Sequence, residues 1–153
     1  TWWIWLTIVL ILHIILIQAV NGQHNTNKVI NLEKKNARYL DKKIINEPID
    51  LLVCDVSFIS MKKVVEPCLS FLKNKSGIII GLIKPQFEAS QNEIQKGGII
   101  LNPLVHKKIC DDLENWFIQK LKMKVLGIIR SPIKGPKGNI EFLIAAKFIL
   151  DIS

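Results

Sequence analysis

The sequence predicts an α/β fold, in the form of half of an α/β sheet with an antiparallel strand near its edge. Two apolar runs, 49–54 and 78–83, are typical of buried parallel strands, and each leads into a charged residue. A segment with apolar residues at helical spacing separates the two runs, and a second such segment follows them. The last two predicted strands are joined by a loop too short for a crossover helix, which predicts antiparallel pairing.

The two helices follow from capping and periodicity. Ser60 is a candidate N-cap for a helix over 61–73, and Pro67 inside that helix is expected to bend or restart it. Asn102 stands directly before a proline, which is a strong start signal for the second helix. An apolar stripe at helical spacing continues from there to about Lys122.

The remaining segments are predicted as short strands and loops. A short strand is expected over 28–32. Strands over 125–129 and 140–148 complete the order strand, helix, strand, helix, strand, strand that begins at 49–54. The polar segment 88–98 is expected to be a loop with at most a helical turn. His106 has no partner that would make it a ligand, and it is expected at the surface.

The composition indicates one globular domain with an anionic partner. The chain has 153 residues, and its 21 Lys and Arg outnumber 13 Asp and Glu, for a net charge of +8. A hydrophobic content of 49% supplies a core and excludes a disordered tail, a collagen or a disulfide-rich miniprotein. The charge suits nucleic acid or an acidic membrane surface.

The start of the chain differs sharply from the rest. Residues 1–22 contain no charged side chain, although they hold three of the four tryptophans. About 20 apolar residues suffice for a helix to cross a bilayer, so a membrane span over 1–20 is one interpretation. The chain is therefore divided into an apolar segment, 1–27, which is either aberrant or membrane-spanning, and a domain over 28–153.

The charged residues that follow the predicted strands are the candidate site. Asp55 and Lys84 stand at the carboxyl ends of two strands, where ligands bind in such sheets, and Glu141 begins the last strand. A lysine between two carboxylates can transfer a proton or orient a hydroxyl group. The alternative is a strand-end cap, a surface lysine and an edge-strand charge without a shared function.

The cysteines do not indicate a metal site. Cys54, Cys68 and Cys110 are odd in number and widely spaced, and the sequence has no CxxC motif or Cys/His cluster. They are expected to be reduced thiols, and no metal is predicted.

Four segments identify a family. In order they are CDVSFIS, LIKPQFEA, KGGIILNPLVH and SPIKGPKGNIEF, and they closely resemble the TlyA (hemolysin A) family, as does the upstream stretch KVINLEKKNARYL. The resemblance covers about 28–148. It implies a ribosomal RNA 2′-O-methyltransferase with an FtsJ-like domain, a partial Rossmann-like fold and S-adenosylmethionine as methyl donor. It also implies a cytoplasmic protein whose partner is ribosomal RNA or a ribosomal subunit, and the alternative is a membrane-anchored protein.

The resemblance implies catalytic roles for three residues. The family has a Lys–Asp–Lys–Glu tetrad, and Asp55, Lys84 and Glu141 match its last three members. Lys84 would deprotonate or orient a ribose 2′-hydroxyl group, while Asp55 and Glu141 position it. The first lysine of the tetrad has no counterpart in this sequence.

The same resemblance implies binding residues. Asp55 would lie near the methionine end of S-adenosylmethionine, and Asn36 and Arg38 would lie near its adenosine. Lys134 and Lys137, on a Gly/Pro-rich loop before Glu141, could reach RNA phosphates. The alternatives are structural loop residues for the first pair and a solvated loop for the second.

One departure from the family concerns the cofactor loop. The family's glycine-rich loop, approximately STGGFTD, has no counterpart here, and tryptophans stand at about its distance upstream of NARYL. Two tryptophan codons read one base later begin Gly-Gly, so a frame-disturbed cofactor loop is one hypothesis for 1–22. The alternatives to an active methyltransferase are therefore an inactive one, a membrane-anchored domain and a degenerate non-catalytic fragment.

Overall fold

Five strands form one mixed sheet in the computed structural model, which describes residues 10–11, 39–40, 42–43, 45, 48–73 and 76–148. The strands are β1 (Leu10–Ile11), β2 (Leu51–Cys54), β3 (Ile78–Ile83), β4 (Met123–Arg130) and β5 (Phe142–Phe148). The helices are α1 (Lys62–Cys68), α2 (Pro85–Glu88) and α3 (Pro103–Gln119), with short 3₁₀ turns at Leu69–Phe71, Gln91–Glu93 and Pro136–Gly138.

The sheet has the strand order β1-β2-β3-β5-β4. β2 and β3 are parallel and are connected through α1, as expected for a βαβ unit. β5 is antiparallel to both of its neighbours, β3 and β4, and β1 is antiparallel to β2. The prediction of an α/β fold with an antiparallel last strand is therefore confirmed.

The core lies on one face of this sheet. Along β3 the side chains of Ile79 and Ile83 are fully buried, and Gly81 lies between them on the same face. Gly81 lets α1 approach closely, because a Cβ at this position would lie 2.6 Å from Cε of Met61. Ile144 of β5 pairs with Gly81 and completes the same buried patch.

The third helix agrees with its predicted start. Asn102 caps α3, and its side-chain oxygen accepts a hydrogen bond from the backbone N–H of Leu104 at 2.9 Å. The predicted stripe is buried at Ile109, Leu113 and Phe117. The helix ends at Gln119, earlier than predicted, since the chain turns into a left-handed backbone conformation at Lys122 (φ 55°).

The expectation that His106 lies at the surface is wrong. His106 is buried, three residues before Ile109 on the inward face of α3. Its Nε2 atom lies 3.0 Å from the carbonyl oxygen of Ile100, and its ring meets the Phe142 ring edge-on at 5.6 Å. His106 is therefore a core residue whose buried ring nitrogen has a hydrogen-bond partner.

The first helix is shorter than predicted. The segment 61–73 contains seven residues of α-helix, which end directly after Pro67 and continue as a 3₁₀ turn. Ser60 precedes the helix, and its hydroxyl oxygen accepts a hydrogen bond from the backbone N–H of Lys62 at 3.3 Å. The proline therefore restarts the chain in a tighter turn, as the sequence indicated.

Most predictions for the start of the chain lie outside the described residues. Of 1–27 the structure describes only Leu10 and Ile11, which pair with β2, and the strand expected over 28–32 is not described. In the part of the chain that is described, no helix has both the length and the hydropathy needed to cross a membrane.

All three cysteines carry thiol groups and none forms a disulfide. Cys54 and Cys68 are buried in the core, and Cys110 is half-buried on α3. Burial raises the pKa of Cys54 to about 12 and that of Cys68 to about 11. These two side chains therefore act as small apolar groups of the core at neutral pH.

Candidate active site

The structure brings two of the predicted catalytic residues into direct contact. Asp55 follows the last residue of β2, and Lys84 follows the last residue of β3, so both lie at the carboxyl edge of the sheet. The Nζ atom of Lys84 lies 2.6 Å from Oδ1 of Asp55. The lysine side chain is 12% exposed and the aspartate side chain is 61% exposed. The pair therefore joins a largely covered cation to a carboxylate that is open to solvent.

Ser57 is a second partner of the lysine. Nζ of Lys84 donates a hydrogen bond to the hydroxyl oxygen of Ser57 at 3.0 Å. An ammonium group has three N–H donors, and contacts among the described residues use two of them. The third is available for an oxygen atom of a ligand. Sequence reasoning did not assign Ser57, although the motif DVS places it two positions after Asp55.

Glu141 lies beside this pair through the register of the sheet. Ile83 pairs with Phe142, so Lys84 and Glu141 occupy the next position along β3 and β5. The backbone carbonyl oxygen of Glu141 accepts a hydrogen bond from Ser131 N–H at 2.8 Å, which extends the pairing of β4 and β5. The antiparallel strand thus carries Glu141 to the edge that holds Lys84.

The carboxylate of Glu141 is buried and contacts Gln86. Glu141 is only 5% exposed, and its Oε1 atom accepts a hydrogen bond from Nε2 of Gln86 at 2.9 Å. In the described part of the chain Glu141 meets the lysine segment through Gln86, and the ion pair of Lys84 is with Asp55. Gln86 is itself buried, and its Oε1 has no hydrogen-bond partner among the described residues.

Gly135 supports the position of Glu141. This glycine sits directly against the carboxyl group, because a Cβ at residue 135 would lie 2.5 Å from Cδ of Glu141. Its backbone N–H donates to the carbonyl oxygen of Asn139 at 2.9 Å. The loop can therefore cover Glu141 only with a hydrogen atom at this position.

Glu88 connects the lysine segment to the turn that carries Asp55. Oε2 of Glu88 accepts a hydrogen bond from the Ser60 hydroxyl at 2.7 Å, and Oε1 accepts one from the backbone N–H of Met61 at 2.6 Å. Burial raises the pKa of Glu88, although hydrogen bonds from Ser60 and Met61 act in the opposite direction. Lys84 therefore contacts Asp55 and Ser57. Gln86 contacts Glu141, while Glu88 contacts the start of α1 at Ser60 and Met61.

Phe58 is an exposed aromatic residue that directly follows Ser57 in the chain. It is 79% exposed and has a left-handed backbone (φ 62°), an unusual combination for a bulky side chain. Its ring lies 4.9 Å from the ring of Phe87, centroid to centroid. Such conformations persist where the surrounding structure imposes them, and they cluster at functional sites. No periodicity in the sequence could indicate this exposed ring.

Two loops close the other side of the site. Nζ of Lys137 donates a hydrogen bond to the carbonyl oxygen of Gly97 at 2.5 Å. Asn139 is buried, and its side chain accepts from Ile100 N–H at 3.1 Å and donates to the Gly98 carbonyl oxygen at 3.0 Å. The ammonium group of Lys137 therefore joins the loops, while Lys134 is exposed on the same loop.

Other predicted binding residues are placed as follows. Asn36 and Arg38, expected near the adenosine, lie outside the described residues. The described ranges contain no group of three or more His, Cys, Asp or Glu residues that could hold a metal ion. Among the predicted cofactor-binding residues, Asp55 alone is described.

The fold is that of an α/β protein, and its candidate site lies at the carboxyl ends of parallel strands, around a contact between a lysine and a carboxylate. The sequence profile of FtsJ-like methyltransferases matches residues 13–148. The chain belongs to this family, and the resemblance found in its motifs is confirmed.

Two curated relatives extend the comparison. Hemolysin A of Brachyspira hyodysenteriae is 39% identical over 134 residues, which is 87% of this chain and 54% of that protein. The 16S/23S rRNA (cytidine-2′-O)-methyltransferase TlyA of Mycobacterium tuberculosis is 33% identical over 120 residues, 78% of this chain and 44% of that protein. The chain thus spans about half the length of these relatives.

A solved structure shows the same fold. A Streptococcus thermophilus protein provisionally named a hemolysin aligns with a TM-score of 0.75 and 29% sequence identity. The alignment covers 82% of this chain and 45% of that protein.

Proposed function

We propose that this chain is the catalytic part of an S-adenosylmethionine-dependent enzyme that methylates ribose 2′-hydroxyl groups of ribosomal RNA. The observation that carries the proposal is the contact of Lys84 with Asp55 at the carboxyl edge of the sheet, at 2.6 Å. Membership of the FtsJ-like methyltransferase family supports the reaction type. The name of the TlyA relative from Mycobacterium tuberculosis supports ribosomal RNA as the substrate and the ribose 2′-oxygen as the acceptor.

In this proposal Lys84 binds the ribose 2′-hydroxyl group that is methylated. Asp55 and Ser57 fix its Nζ atom with two contacts, so the remaining donor has a defined direction. A 2′-hydroxyl oxygen at that donor is oriented for attack, or passes its proton to the lysine when the amine is neutral. Holding the two reacting groups in one geometry supplies most of the rate.

Glu141 and Asp55 have different tasks in this mechanism. Asp55 is open to solvent and balances the charge of Lys84 directly. Glu141 is enclosed by Gln86 and Gly135, and it places a second carboxylate behind the lysine segment. A negative charge held in a dry site acts more strongly than one in water.

The described residues fit one end of S-adenosylmethionine. When bound, this cofactor supplies an electrophilic methyl group on a sulfonium ion. Asp55 offers a 61% exposed carboxylate at the carboxyl end of β2, which suits the cationic methionine end. Asn36 and Arg38 are proposed for the adenosine end on the strength of the family resemblance alone.

The RNA surface is proposed to combine charge and stacking. Lys134 is exposed and is assigned to backbone phosphates, with Lys137 beside it at the loop junction. The exposed ring of Phe58 offers a face for an unstacked base near Lys84. A ribosomal RNA substrate supports a cytoplasmic location, which is part of the proposal.

The test is methyl transfer from labelled S-adenosylmethionine to ribosomal subunits, with the wild type compared with Lys84→Ala. The variant is expected to lose methyl transfer and to keep its cofactor affinity, measured by titration calorimetry. Lys73→Ala is the matched control, because Lys73 pairs with Asp50 at 3.1 Å at the opposite edge of the sheet. Turnover retained in Lys84→Ala would remove the lysine from its role.

Two alternatives to this function predict different experimental results. A wild-type chain that binds no S-adenosylmethionine in calorimetry would favour a degenerate non-catalytic fragment. Carbonate extraction of membranes tests the membrane-anchored alternative, which rests on the hydropathy of 1–20. Recovery of the chain in the extracted supernatant would exclude a membrane span.

A further inference from the structure

We infer that Glu88 is a positioning residue that holds Asp55 and Ser57 on the ammonium group of Lys84. The inference rests on the proposed methyl transfer, because it concerns the geometry of the same site. Glu88 does not touch the lysine. Its carboxylate instead spans two segments, and both of its oxygens accept hydrogen bonds from the turn after β2.

Two short segments have to be held together for the site to exist. The turn 55–61 carries Asp55 and Ser57, and the segment 84–88 carries Lys84. Three kinds of contact join them, namely the contacts of Lys84 itself, the ring contact of Phe58 and Phe87, and the two hydrogen bonds of Glu88. Of these contacts, only the hydrogen bonds of Glu88 reach the far end of the turn, at Ser60 and Met61.

The far end of the turn is also where α1 packs on the sheet. Glu88 binds Met61 N–H, and the Met61 side chain lies against Gly81 in β3. The hydroxyl group of Ser60 donates a hydrogen bond to Glu88 and accepts one from the backbone N–H of Lys62. The carboxylate therefore holds the end of the turn where α1 begins. Because Ser57 lies earlier in the same short turn, its position depends on where that end is held.

Without the carboxylate, the turn loses its two hydrogen bonds to residue 88, and only the chain itself and the contacts of Lys84 and Phe58 hold it. Water can replace the carboxylate as partner of the Ser60 hydroxyl and the Met61 N–H, but water does not tie the turn to residue 88, so the turn is free to move. A movement of about 1 Å at a catalytic group can reduce a rate about 100-fold. We therefore expect Glu88→Ala to lower kcat about 100-fold, while KM for RNA stays within about twofold.

The conservative variant gives a graded result. Glu88→Gln keeps one acceptor oxygen and replaces the other with an amide, so one of the two hydrogen bonds is retained. A loss of about 10-fold in kcat is expected, equivalent to one charge-assisted hydrogen bond. This variant decides the question if Glu88→Ala does not fold, which thermal unfolding followed by circular dichroism will show.

Glu93→Gln is the matched control. Glu93 also accepts hydrogen bonds from a serine hydroxyl, at 2.6 Å, and from a backbone N–H, at 3.0 Å, both of Ser90. These contacts form a local capping box away from the Lys84 cluster. The substitution removes the same kind of contact and is expected to leave kcat unchanged.

A second readout separates this inference from the proposed reaction. The Cε resonance of Lys84 in the ¹³C-labelled chain, assigned with Lys84→Arg, reports the surroundings of the ammonium group without any turnover. Glu88→Ala and Glu88→Gln are expected to change the chemical shift of this resonance, since Asp55 and Ser57 leave the ammonium group, while Glu93→Gln does not. If the wild type shows no methyl transfer, the proposed function fails and this spectrum still tests Glu88. Unchanged kcat together with an unchanged Lys84 Cε resonance in both Glu88 variants would overturn the inference.

Discussion

Gly135→Ala perturbs the site through a single methyl group. The backbone at Gly135 has φ −73° and ψ −176°, which any residue adopts, so alanine introduces no backbone strain. The new Cβ would instead lie 2.5 Å from Cδ of Glu141 and 3.2 Å from its Cγ. The substitution therefore acts on the carboxylate alone.

The size of the effect follows from these distances. Non-bonded carbon atoms rest at about 3.5 Å, so the carboxyl group or the loop has to yield by about 1 Å. Glu141 is buried against Gln86, and a shift of that size breaks their hydrogen bond of 2.9 Å. Overpacking together with the lost charged hydrogen bond amounts to about 2–4 kcal/mol of stability. If Glu141 has its proposed catalytic role, its displacement is expected to lower kcat about 100-fold.

Urea unfolding and methyl transfer measure the two consequences in one preparation. Gly127→Ala is the control, because a Cβ at Gly127 meets nothing within 4 Å. It is expected to change the free energy of unfolding by less than about 0.5 kcal/mol. If Gly135→Ala is as stable and as active as Gly127→Ala, then Glu141 does not need its observed position and the reasoning is refuted.

Three further results are expected. Phe58→Ala should weaken binding of single-stranded RNA about 10- to 100-fold in fluorescence anisotropy, since a stacking face is lost, and unchanged affinity would contradict this. Asn139→Ala should lower the free energy of unfolding in urea by about 2–4 kcal/mol, because it leaves buried loop groups without partners. Hydrogen bonds from Lys108 and Ser90 lower the pKa of Glu93 to about 2, so its ionised form stabilises the fold above about pH 4.5. That contribution should be lost as the pH falls through 2, and Glu93→Gln should show a flatter acid dependence of its melting temperature.

Elements with strong local signals were predictable from the sequence. The apolar run of β3 matches residue for residue, because it is bounded by Gly77 and Lys84 and no helix periodicity competes with it. The start of α3 at Pro103 follows from its asparagine cap. Asp55 and Lys84 could be placed at one edge because parallel strands end on the same side of a sheet.

Contacts between distant segments were not predictable in the same way. Nothing local indicates that Gln86 turns inward onto Glu141, since a polar residue after a strand is usually solvated. His106 was misplaced for the same reason, because its burial depends on the carbonyl group of Ile100 in a preceding loop. The role of Gly135 depends on a residue that lies across the loop.

The strand order has a consequence for how the protein is made. β5 is translated after β4, yet it lies between β3 and β4. A nascent chain that has not released β5 therefore presents the open edge of β3, which is a template for aggregation. Glu141 directly precedes β5, so the ribosome releases this strand and the proposed catalytic carboxylate together. A chain stalled before residue 141 would therefore lack Glu141 and would also be prone to aggregate.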